Sequence, residues 1–65
     1  MLEVNFIFDY IGYVQNQGFT VTYGLKNGTN FVALFIDYEE ADNRLRQVQA
    51  LLEKKEKVFI NPIYQ

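Results

Sequence analysis

A chain of 65 residues with no Cys and no His has room for one domain, spanning residues 1–65, and excludes disulfides, thiolate metal sites and imidazole ligands. Its net charge of −2 is unevenly spread: residues 1–43 hold one Lys against six Asp and Glu, and residues 44–65 hold five Lys and Arg against two Glu. Helix ends that complement the helix dipole explain the asymmetry, and a polyanion-binding tail in the basic part is the weaker reading.

No run approaches the roughly 18 apolar residues of a membrane span. Met1 to Asn5 lacks the basic start of a secretory signal, so the expectation is a cytoplasmic protein with no membrane segment. Small folds without disulfide or metal often rely on a partner subunit, which makes a homo-oligomer, most simply a dimer, the expected state.

In residues 2–14, Leu2, Val4, Phe6, Phe8 and Tyr10 alternate with Glu3, Asn5, Ile7 and Asp9. Period two in a β-branched and aromatic segment predicts a strand. A helical stripe through Val4, Ile7, Phe8, Ile11 and Val14 is the alternative, opposed by poor helix formers and by Gly12. Gln15-Asn16-Gln17-Gly18 reads as a turn. An even loop there puts Phe6, Phe8, Tyr10 and Val14 on the face of Val21 and Tyr23; an odd loop puts Ile7, Ile11 and Tyr13 there instead.

Residues 19–36 read as a hairpin turning at Asn27-Gly28. A two-residue turn pairs Leu25 with Asn30, Tyr23 with Val32, Val21 with Leu34 and Phe19 with Ile36. Thr20, Thr22, Gly24 and Lys26 then share the other face with Phe35, Ala33, Phe31 and Thr29. Residues 37–56 read as a helix with Asp37 as N-cap, Glu40 completing a capping box, and a stripe through Tyr38, Ala41, Leu45, Val48 and Leu52. Lys54, Lys55 and Lys57 complement its C-terminal dipole. Glu40–Arg44 and Asp42–Arg46 have ion-pair spacing. Val58-Phe59-Ile60 reads as an edge strand before Pro62, parallel to the hairpin's second strand, and residues 63–65 as a tail.

The fold class is therefore α+β: an antiparallel three-stranded β-meander, one helix on one face and a short C-terminal strand, in the order β-β-β-α-β. The helical reading of residues 2–14 would give α-β-β-α-β.

The chain offers little chemistry. Without Ser, Cys or His the usual nucleophile and base pairs cannot form, no catalytic residue is assigned, and the expectation is a protein that is not an enzyme. Asp37, Glu39, Glu40 and Asp42 are explained by a helix start rather than by a metal loop. Asp9 reads as a strand-edge charge. No cofactor or metal site is assigned.

One helix covers one face of a sheet. The two-residue turn leaves Phe31, Ala33 and Phe35, with Ile11 and Tyr13, uncovered, and these five are the candidate partner-binding residues. The expected function is a non-enzymatic protein-interaction module, of the small accessory or inhibitory type common among phage and mobile-element proteins, that binds a second copy or a larger protein target. The alternative is a single-stranded nucleic-acid binder stacking bases on Phe31, Phe35 and Tyr13. Only Lys26 stands near those rings, which disfavours it.

Overall fold

A computed structural model describes residues 1–61. The elements are β1 (Leu2–Ile7), β2 (Gly12–Val14), β3 (Gly18–Leu25), β4 (Asn30–Phe35), α1 (Tyr38–Glu53) and β5 (Phe59–Ile60). The predicted order holds, and the helical alternative for residues 2–14 does not. That segment is one strand interrupted at residues 8–11. Its halves lie end to end along β3, with Ile7 opposite Tyr23 and Tyr13 opposite Phe19. In the break, Asp9 accepts a hydrogen bond from Gln49 Nε2 of the helix at 3.1 Å.

β3 is the middle of the sheet. β4 pairs with one of its sides, while β1 and β2 share the other; β5 pairs antiparallel with β1 at the far margin. The expected parallel alignment of β5 with β4 is thus corrected: β1 runs parallel to β4, so β5 runs against both. The tail over residues 63–65 lies outside the described residues.

Both hairpin loops have three residues. Val14 pairs with Gly18 across Gln15, Asn16 and Gln17, which realises the odd-loop alternative. At the second hairpin the odd loop overturns the expected register. Leu25 donates to Thr29 O at 2.9 Å and accepts from Gly28 N at 3.0 Å, while Asn27 Oδ1 accepts from Thr29 N at 3.0 Å and from its hydroxyl at 2.6 Å. Only Gly28, at φ 91°, is left-handed in this loop. The geometry is a three-residue turn closed by a glycine bulge, not a two-residue turn. β3 and β4 then pair as Phe19–Phe35, Val21–Ala33 and Tyr23–Phe31, one residue off the expected register. A one-residue slip inverts the faces of a strand.

α1 packs on the face of β3 that carries Val21, Tyr23 and Leu25. With Val4, Ile7, Ala41, Leu45, Val48 and Val58 these form the core. The Tyr23 hydroxyl accepts from Arg44 Nε at 3.0 Å, so the buried ring keeps a partner for its polar end.

The helix ends differ from expectation. Asp37 occupies the N-cap but makes no side-chain cap hydrogen bond. Arg44 donates to Tyr23 and Gln47 rather than to Glu40, whereas Arg46 meets Asp42 at 2.9 Å as its spacing predicts. The last helical turn contains no basic residue, because the helix stops at Glu53. Lys55 N bonds Leu52 O and Glu56 N bonds Leu51 O, each at 3.0 Å, with Lys55 at φ 61°. This is a Schellman closure with lysine in the seat that glycine usually fills.

Two stability outcomes follow. Lys55→Gly relieves a left-handed lysine and should stabilise by about 0.5–1 kcal/mol, seen as a rise in thermal midpoint of about 4–8 °C per kcal/mol for a domain of this size. Gly18, at φ 134°, lies where a Cβ would sit 2.2 Å from the Phe35 carbonyl oxygen, while a Cβ on Gly28 would meet nothing within 4 Å. Denaturant titration should therefore find Gly28→Ala costing roughly 1–3 kcal/mol and Gly18→Ala clearly more. Equal losses would mean the Gly18–Phe35 approach is not held in solution.

Candidate interaction surface

The strand pairings sort the side chains onto two faces. Phe19, Val21 and Tyr23 share the helix side with Phe35, Ala33 and Phe31; Ile7 and Tyr13 stand opposite Tyr23 and Phe19 on that same side. Phe31 stacks on Tyr23 with centroids 6.5 Å apart, and Tyr13 meets Phe19 at 5.2 Å, which in turn meets Tyr38 edge-on at 5.5 Å.

The five expected partner-binding residues are thus grouped on one face, but it is the face the helix takes. Phe31, Ala33, Phe35 and Ile11 are half-buried and pack against the core. Tyr13 alone is exposed. The expectation that Phe31, Ala33 and Phe35 lie uncovered is corrected, because it depended on the two-residue turn.

What lies uncovered is the complementary set. Val32 is 55% exposed, Leu34 51% and Ile36 84%. Val32 and Leu34 stand opposite Thr22 and Thr20. The Thr20 hydroxyl lies over Gly12, and the Phe6 ring lies over Gly24, each so close that a Cβ on the glycine would fall within 2.5 Å. Phe6 is 47% exposed and continues into a short aromatic ladder, Phe6–Phe8 at 5.2 Å and Phe8–Tyr10 at 6.0 Å.

A bulge between Val4 and Phe6 makes this placement possible. It leaves Val4 and Ile7 both buried, and so turns Phe6 away from the core. The result is an apolar surface running across β4, β3 and β1.

Charges are peripheral to this surface. Lys26 is engaged by Glu3 at 3.1 Å at one end of the sheet. A shallow cleft of about 250 Å³ lies at that end, among Glu3, Lys26, Lys55, Glu56 and Lys57. Among the described residues no three His, Cys, Asp or Glu side chains come together as a metal site, and no helix is long and apolar enough to cross a membrane. No family model, curated protein or solved structure matches the chain.

The residues missed by sequence reasoning are Val32, Leu34 and Phe6. Alternation marks Val32 and Leu34 as one set, but their partners in β4 are equally apolar, so the pattern carries no sign of which set is covered. A direct test of the register is a pair of threonine variants measured by chemical denaturation. Val32→Thr should change the unfolding free energy by no more than about 0.5 kcal/mol, as exposed sites usually do. Phe31→Thr should cost about 2 kcal/mol or more, because it removes a ring stacked against the core.

Proposed function

We propose that the chain acts by binding rather than by catalysis, as an accessory or inhibitory module that docks a protein partner on the open face of its sheet. The observation that carries this reading is the surface of Phe6, Val32 and Leu34 around Thr20 and Thr22, exposed on the side opposite the helix, with the half-buried Phe8 ring beside Phe6. Contiguous apolar surface of this kind marks interaction sites, and aromatic side chains are enriched in them. A chain without Cys, His or Ser supports the non-catalytic part of the reading, and the lack of Cys suits a cytoplasmic setting.

The geometry favours protein over nucleic acid. Base-stacking surfaces need cations to follow the phosphates. Here Lys26 is held by Glu3, and Arg44 and Arg46 belong to the helix, bonded to Tyr23 and Asp42.

Thr22 sits at the centre of the face, so Thr22→Lys is the informative variant, with Ala50→Lys on the outer side of the helix as control. In affinity capture from cell extract at moderate salt, wild type and Ala50→Lys should retain the same protein and Thr22→Lys should lose it. Capture indifferent to Thr22→Lys, or retention of single-stranded nucleic acid that falls steeply with salt, would refute the proposal.

A further inference from the structure

We infer that β4 is a self-pairing edge: two copies of the chain join β4 to β4 in antiparallel register, with the two-fold axis at Ala33, to make one continuous sheet. This goes beyond the face reading, because it depends on main-chain groups along the edge rather than on the side chains of the face.

The direction of those groups can be read from the ladder. Leu25 exchanges hydrogen bonds with the Gly28–Thr29 segment, so its N–H and C=O point toward β4. Alternation along β3 makes Tyr23, Val21 and Phe19 do the same. The opposite phase is confirmed at Thr22, whose carbonyl accepts from Phe8 N on the other side at 2.9 Å. In β4, Phe31, Ala33 and Phe35 therefore bond inward to β3, and Asn30, Val32 and Leu34 turn their N–H and C=O outward. β4 pairs only with β3, so among the described residues these outward groups have no protein partner.

Exposed strand edges normally carry a device against pairing: a charge, a proline, a bulge or shortness. The other margins of this sheet have one. β5 is two residues long, β2 three, and β1 is bulged. β4 has none. Residues 30–36, Asn-Phe-Val-Ala-Leu-Phe-Ile, contain no charge and no proline, and the register with β3 runs unbroken from Asn30 to Phe35.

Within it, residues 31–35 are chemically palindromic about Ala33, which points to a second copy as the occupant. With the axis there, Val32 faces Leu34 of the other chain, Phe31 faces its Phe35, and Ala33 faces Ala33. Val32 and Leu34 are the outward-bonding positions, so the two Val32–Leu34 pairs supply about four main-chain hydrogen bonds. Ala33 then falls at a non-hydrogen-bonded position, where the Cα atoms approach most closely, and its small side chain suits the axis.

Charge favours the antiparallel sense. Asp37, Glu39 and Glu40 follow the C-terminal end of β4. Antiparallel pairing keeps the two acidic ends at opposite ends of the joined strands; parallel pairing would set acid against acid. The open faces of the two sheets become a single larger surface.

The test combines light scattering with residue-resolved amide exchange. Wild type should run at twice its 7.7 kDa chain mass, and the Val32 and Leu34 amides should gain protection as concentration rises. Leu34→Pro removes an outward N–H, which an edge strand tolerates, and should give a monomer whose Ala33 amide stays protected by β3. Thr22→Lys, on the face and away from the edge, should remain dimeric even where it loses a captured protein partner. A monomeric wild type with fast Val32 and Leu34 exchange at its highest soluble concentration would overturn the proposal. So would a dimer that survives Leu34→Pro and is lost in Thr22→Lys, which would instead show face-to-face packing. Should Leu34→Pro fail to fold, the wild-type exchange at Val32 and Leu34 decides by itself.

Discussion

The ladder between β3 and β4 places almost everything else in this molecule. Its register is set at the Lys26–Gly28 loop, where Leu25 closes on Gly28 and Thr29 and Asn27 ties down Thr29. Because side chains alternate faces, that one loop directs Phe31, Ala33 and Phe35 beneath the helix and Val32 and Leu34 to the open side. The helix then has two more rings to pack on, one of them stacked against Tyr23. Burying rings rather than the Val32–Leu34 set gives the core more apolar area per position.

The opposite side of β3 shows how irregularity shapes the open face. β1 and β2 would make a long strand, but the break at residues 8–11 and the bulge before Phe6 divide it. The break lets the helix reach Asp9 through Gln49. The bulge keeps Val4 and Ile7 in the core while laying Phe6 over Gly24 on the open face. The sheet thus acquires one short, interrupted margin and one long, bare margin, with an apolar face between them. Bulges and short edges are how sheets limit pairing, so their concentration on one side leaves β4 as the side where pairing remains open.

The helix is held by its contacts more than by its ends. Its N-cap aspartate makes no cap hydrogen bond, and its closing residue is a left-handed lysine. Ala41, Leu45 and Val48 are buried against the sheet. A helix of 16 residues is marginal in isolation and gains its stability from packing an amphipathic face. The seat that the sheet offers is therefore part of what makes it a helix.

Much of this was legible in the residues. The β-β-β-α-β order, the start of the helix at Asp37, its buried stripe, and the Asp42–Arg46 pair all follow from local pattern and spacing. So does the existence of one uncovered sheet face. Ile11 and Tyr13 group with Phe31 and Phe35 as expected only because both loops have an odd length, so that the two one-residue differences cancel. Tertiary structure alone decided which face that is. Period-two alternation assigns a strand to a face when one of its two sets is polar, and residues 31–36 are apolar on both. The choice then passes to the parity of a turn, and that parity depends on contacts outside the hairpin: Lys26 held by Glu3 of β1, and aromatic rings meeting a helix that follows later in the chain. Those partners are distant in sequence, so no local pattern could record them.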